Sequence, residues 1–171
     1  MAKSSGGETS FIDVVRRRIN DESPELDAEA TGVLFNLARA SNIAIADLDS
    51  TVWRSFGVSY AGYRVLFVVW AAGPLEPRTI ARLSSVSRAS ISSVINTLER
   101  DGYVERRRES EDRRLVTVDL TDKGRQLWHD SFALHNARER EWLSSLTGDE
   151  REQLTTLLEK LIQGRPRDHE Q

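Results

Sequence analysis

From Pro77 to Leu98 the chain reads PRTIARLSSVSRASISSVINTL, with three arginines, Arg78, Arg82 and Arg88, and no carboxylate, in a protein whose net charge is −3. Pro77 suits the first position of a helix, and Ser87 suits an N-cap, so the stretch resolves into two short helices joined by a tight turn. In the second helix Ile91, Val94, Ile95 and Leu98 fall at i, i+3, i+4 and i+7, which buries one face. The opposite face carries Ala89, Ser90, Ser92, Ser93, Asn96 and Thr97. Surface helices usually place Lys, Glu and Arg there, because those residues favour both helix and solubility. Small hydroxyl and amide side chains give up some propensity, let a partner approach the backbone closely, and hydrogen-bond base edges or phosphates. A net-acidic chain has kept its carboxylates off this face.

The residues C-terminal to the helix pair narrow the architecture. After Gly102, YVERRR and LVTVDLT read as two strands, with Val116, Val118 and Leu120 alternating toward one side. Between them lies RRRESEDRR, Arg106 to Arg114, in which eight residues of nine are charged. Helix, turn, helix and charged hairpin make a winged helix-turn-helix, with the second helix free to enter a major groove and the hairpin beside the backbone or minor groove. The expected contacts to bases or phosphates on the helix are Ser87, Arg88, Ser90, Ser92, Ser93 and Asn96.

The flanking sequence is helical. A first segment runs from Ser10, its N-cap, to about Asn20, and a longer one from Asp27 to about Arg54 repeats Leu34, Leu37, Ser41, Ile45, Leu48 and Val52 at steps of three and four. A third, capped by Ser59 and ended by Gly73 and Pro74, carries a stripe of Tyr63, Leu66, Phe67 and Trp70. Beyond the hairpin, Thr121 caps a helix expected to reach about Ser145, with Trp128, Phe132, His135, Glu139, Trp142 and Leu146 at heptad-like steps. Thr147 and Glu150 stand at capping-box spacing before a last helix striped by Leu154, Leu157, Leu158 and Leu161. The expected fold is mainly α: a winged helix-turn-helix domain with a β-hairpin wing, flanked by N- and C-terminal dimerisation helices. Its segments are an N-terminal extension 1–26, a dimerisation helix 27–58, the winged domain 59–122, dimerisation helices 123–163 and a polar tail 164–171.

Composition removes several functions. The absence of cysteine excludes disulfides, thiolate metal sites and thiol redox switching. His129 and His135, six apart, share no helix face, and His169 sits in the polar tail, so no metal site and no cofactor is expected. Phosphate-cradling glycine loops, nucleophile elbows and HExxH pairs do not occur. No apolar run approaches the roughly twenty residues of a membrane helix, and the N-terminus lacks a signal-like stretch, which places the chain in the cytosol, away from membranes.

The segments TIARLSSVSRASISSVINTLERDGYVERR, DRRLVTVDLTDKGRQL and LTGDEREQLTTLLEKLI together resemble the MarR-type transcriptional regulators, over roughly Leu34 to Ile162. The resemblance implies an obligate homodimer with intertwined terminal helices, whose two winged domains bind double-stranded DNA at two half-sites. It implies that Arg114, next to Arg113, is the wing-tip arginine reaching into the minor groove, and that Asp112 holds it in position. An arginine steered by a neighbouring carboxylate is pre-organised for a narrow, negative groove. The resemblance also implies a small organic ligand between dimer helices and winged domain, with Trp53, Tyr60, Tyr63 and Arg64 as the residues to watch. Taken by itself, Trp53 is as simply a core anchor, along with Trp70, Trp128 and Trp142. An enzyme and a winged helix used only for protein contacts stay open beside a DNA-binding repressor; the second would tolerate acids across the recognition helix.

Overall fold

The computed structural model describes residues 10–108 and 116–166, and the chain divides into two compact units, Met1–Asp47 and Leu48–Gln171. In the first unit, helix α1 (Phe11–Glu22) starts where Ser10 was expected to cap it. The cap is a reciprocal box: the Asp13 amide donates to Ser10 Oγ, and the Ser10 amide donates to the Asp13 carboxylate. The helix runs on past Asn20 to Glu22, and the Ser23 amide closes it on the Ile19 carbonyl, one residue before Pro24. Ile12 is buried, and Phe11 tilts against Phe35 of α2 with ring centroids 5.7 Å apart. The same unit leaves Val33, Leu34, Leu37 and Ile43 exposed.

Helix α2 spans Ala28–Thr51, shorter than its repeat suggested. Leu48 and Val52 are buried, but the backbone tightens into a 3-10 turn at Trp53–Phe56 and stops at Gly57, whose φ of +70° is left-handed. The turn sends the Trp53 indole into the core of the second unit, where it is fully buried.

That unit is the winged domain and the helices after it. α3 (Tyr60–Ala72), α4 (Pro77–Ser84) and α5 (Arg88–Arg100) lead into β1 (Val104–Arg108), which pairs antiparallel with β2 (Val116–Leu120); α6 (Asp122–Trp142) and α7 (Gly148–Gln163) follow. Each expected cap is in place: Ser59, Ser87, Thr121 and Thr147 accept the amides of Gly62, Ser90, Gly124 and Glu150. Each such cap contributes about 1 kcal/mol. Val104 faces Leu120 and Arg106 faces Val118 across the hairpin, and Leu75 adds a third short rung by exchanging two backbone hydrogen bonds with Val118. Val118 and Leu120 turn inward, as their alternation suggested. The core they join includes Val65, Leu66, Val69, Ile80, Ile91, Ile95, Leu98 and Trp128.

The later helices also depart from the sequence reading. α6 ends at Trp142 rather than near Ser145: the Leu143 amide still reaches the Glu139 carbonyl, but the Ser144 amide turns back to that of Glu141 and the Leu146 amide to that of Leu143. In the α3 stripe Tyr63 and Leu66 are buried, whereas Phe67 and Trp70 remain exposed, since α3 also packs Val65, Val68 and Val69 inward. On α7 no residue is buried: Leu154, Leu157, Leu161 and Ile162 are exposed and Leu158 only partly covered. No described helix is long and apolar enough to cross a membrane.

Candidate nucleic-acid interface

The second helix of the pair, α5, presents the face its sequence promised. Ile91, Ile95 and Leu98 are buried, while Ala89, Ser90, Ser92, Ser93, Asn96 and Thr97 are exposed, as are Arg78, Arg82 and Arg88. Its amino end is fixed by Ser87, whose Oγ accepts the Ser90 amide at 3.1 Å and donates to Ser90 Oγ at 2.8 Å. Those two hydroxyls therefore hold the helix start together as well as facing outward. The turn before it rests on Ser85, a non-glycine residue at φ 51°. Such a conformation costs on the order of 1 kcal/mol and sets the angle between α4 and α5.

The exposed residues of α5 have different neighbours along the face. Ser93 and Thr97 line a cavity of about 120 Å³ with Val58, Gly62 and Leu98, on the side of the helix toward the start of α3. Asn96 lies toward the wing. Its Oδ1 accepts a hydrogen bond from Arg106 Nη2 at 2.7 Å, and the same guanidinium pairs with Glu99. Asp112, Arg113 and Arg114, the expected wing-tip residues, lie outside the described residues.

At its base the hairpin is anchored by a carboxylate that the sequence did not single out. Asp119 is buried between Arg107, whose Nη1 is 3.0 Å away, and Arg125 on α6 at 3.4 Å, and it also accepts the Leu120 amide. Glu105 takes the rest of the Arg107 fork at 2.6 and 2.8 Å. That hydrogen bond, then the charges of Glu105 and Asp119, hold the Arg107 guanidinium above its ordinary pKa. Placed between Val118 and Leu120, Asp119 reads in sequence as an outward strand position, so nothing local marks its burial.

The four expected ligand residues separate in the structure. Trp53 and Tyr63 belong to the core, stacked with centroids 4.1 Å apart, and Trp128 stacks on both. Their polar atoms meet a buried histidine. Trp53 Nε1–H donates to His135 Nδ1 at 3.0 Å, and His135 Nε2 lies 2.7 Å from the Tyr63 hydroxyl and 3.0 Å from Glu139 Oε1. Because an indole N–H can only donate, Nδ1 carries no proton and the ring proton sits on Nε2. The hydrogen bond from His135 lowers the Glu139 pKa against the opposing effect of burial. Tyr60 and Arg64 keep accessible surface, with the guanidinium 5.9 Å over the Tyr60 ring. Of the four, only this pair is open to a ligand without repacking the core. His135 stood on the aromatic seam of α6 in the sequence, but spacing alone could not reveal its partners on two other elements.

Burial raises the Tyr63 phenol well above its ordinary 10.0, helped by the nearby Glu139 charge. A raised folded pKa gives stabilisation that is complete below pH 10, the unfolded value, and is lost as pH climbs beyond it. Melting temperature should therefore hold between pH 8 and about 10 and fall above it, with a shallower fall in Tyr63→Phe. Equal slopes for the two proteins would assign the loss to other groups.

An outward polar helix, a pair of arginines on the helix before it and an anchored basic hairpin follow one another along the winged domain, and known proteins share that fold. Residues 58–116 match the MarR family. The chain is 34% identical over 136 residues to the HTH-type transcriptional regulator YwaE of Bacillus subtilis (strain 168), covering 80% of each protein. Its fold is similar to that of a MarR/EmrR family transcriptional regulator from Acinetobacter sp. ADP1, at 22% identity and a TM-score of 0.73, covering 81% of this chain and 96% of that one. It is similar also to a mutant MarR from E. coli complexed with operator DNA, at 23% identity and a TM-score of 0.68, covering 84% of this chain and 97% of that one. With the winged fold, the position of the family match and the YwaE relationship in agreement, the chain belongs to the MarR family of HTH-type transcriptional regulators.

Proposed function

We propose that this regulator acts as a homodimeric repressor in the cytoplasm, placing the α5 helix of each protomer in successive major grooves of a pseudo-palindromic operator. The observation that carries the reading is the acid-free run from Pro77 to Leu98 in a chain of net charge −3, exposed along α5 as small polar side chains flanked by arginines. Dimerisation is supported by the apolar side chains left exposed near each end, Val33, Leu34 and Leu37 on α2 and Leu154, Leu157 and Leu161 on α7. Covering each such leucine is worth about 1.5 to 3 kcal/mol, more than a monomer of this size leaves unused without reason. Occlusion of a promoter is the simplest consequence of such a dimer. With no cysteine to oxidise, release from DNA is assigned to a small organic ligand beside α3 and α6, where Tyr60 and Arg64 are accessible.

The wing supplies the test. Arg114→Ala should lose on the order of 1 to 3 kcal/mol of operator affinity per half-site, with an unchanged thermal melt. Asp112→Ala should weaken binding as well, although it removes a negative charge near DNA, because it frees the arginine from its guide. Glu109→Ala and Glu111→Ala should be neutral or slightly tightening. Affinities of these single variants at two salt concentrations decide the matter: tighter binding by Asp112→Ala, or full affinity in Arg114→Ala, would reduce the wing tip to a solvated turn.

A further inference from the structure

The contact between Arg106 and Asn96 joins the wing to α5 and orients an amide. An asparagine amide has an accepting end and a donating end, and only the accepting end can meet a guanidinium, which has no acceptor. Arg106 Nη2 lies 2.7 Å from the Asn96 side chain, so Oδ1 faces the wing and the NH2 group is the end left for the exposed side of α5. Arg106 is also paired with Glu99, one turn along the same helix and the first acid after the acid-free run. One guanidinium thus neutralises the carboxylate nearest the reading face and sets the polarity of the amide beside it. Both partners are only about one-third exposed, which keeps the fork in place.

We infer that Asn96, oriented by Arg106, reads guanine in the major groove as a pure donor. Guanine presents two adjacent acceptors, N7 and O6, with no donor beside them; adenine presents N7 next to an N6 amino group, and a bidentate match to it requires the amide oxygen that Arg106 has taken. Arg106 is on this account a positioning residue, acting on base choice through Asn96 without touching the base. The inference rests on the operator reading above and deepens it at one position of the half-site.

The test is selection of duplexes from a randomised pool by the purified full-length protein, repeated with three variants. The wild-type protein should enrich a defined site, and Asn96→Ala should lose preference at one position per half-site, that position being guanine in the wild-type site. Arg106→Gln alone should bind the wild-type site at least tenfold more weakly, since it uncovers Glu99. Combining it with Glu99→Gln should restore much of the affinity while adenine enters at the Asn96 position, because the amide is then free to turn. A melt of each variant accompanies the selection. An adenine at the Asn96 position in the wild-type site, or an unchanged preference in the Arg106→Gln, Glu99→Gln variant, would overturn the inference. A uniform loss at all sequences in Asn96→Ala would do so too, by making the contact one to phosphate. Failure of the wild-type protein to enrich any sequence would overturn the operator reading itself, a result none of the variant outcomes can mimic.

Discussion

Gly124→Ala is expected to destabilise the protein by more than about 3 kcal/mol, lowering the melting temperature by roughly 6 to 12 °C. A Cβ built on Gly124 falls 2.0 Å from the Tyr103 carbonyl oxygen and 3.0 Å from its carbon. Both sides of that clash are backbone, so no rotamer change relieves it. The strand entry cannot retreat either. The Tyr103 carbonyl accepts the Thr121 amide at 3.1 Å, and Thr121 in turn donates its hydroxyl to the Gly102 carbonyl at 2.6 Å while capping Gly124 at 3.0 Å. The first turn of α6 is thereby closed onto the start of β1, and a methyl group between them must break that closure. Gly148 provides the control. It opens α7, is exposed, and a Cβ there meets nothing within 4 Å. Gly148→Ala should be neutral or stabilising by up to about 1 kcal/mol. A Gly124→Ala protein that melts with the Gly148→Ala protein would show that α6 and β1 are not in this contact.

The second large effect is expected at His135. Replacing it with phenylalanine keeps most of the volume but removes the acceptor for the Trp53 indole and the partner of the Tyr63 hydroxyl, in a position about 1% exposed. Leaving a buried polar group unsatisfied costs about 1 to 3 kcal/mol, so two such groups, the Trp53 donor and the Tyr63 hydroxyl oxygen that accepts from Nε2–H, bring the loss to about 2 to 6 kcal/mol. The size alone would not distinguish hydrogen bonding from poor packing. His135→Phe combined with Tyr63→Phe separates them, because removing both polar partners leaves nothing unpaired on that side and should recover part of the loss. Urea midpoints read by tryptophan fluorescence report it directly, Trp53 and Trp128 both lying in the cluster. Strictly additive losses would mean that the histidine is held by packing alone.

What could be read from the sequence was what is decided locally. Ser59, Ser87, Thr121 and Thr147 announce their helices because a cap involves a side chain and an amide three residues on, and nothing distant competes. The face of α5 was legible for the same reason, its period and its lack of acids being properties of one segment. The end of α2 was not: its apolar spacing continues through Val52, and only the burial of Trp53 in a core assembled from later residues makes the backbone turn there. Asn96 was legible as an exposed polar residue and illegible as an oriented one, since Arg106 reaches it across a turn and from a strand. Asp119 and His135 share that difficulty. Each is defined by partners on other elements, Arg125 on α6 for one and Trp53 and Tyr63 for the other.

A nuclease footprint on DNA flanking the protein's own gene tests the central claim, that the exposed face of α5 reads an operator as one half of a symmetric pair. Purified protein should protect two inverted half-sites whose centres lie roughly 10 base pairs apart, or a multiple of that, and scrambling either half-site should weaken protection of both. Protection should also fade as salt rises, because arginines on the face displace counterions from the phosphates. A single unpaired protected segment, or protection that survives the scrambling of one half-site, would contradict the account.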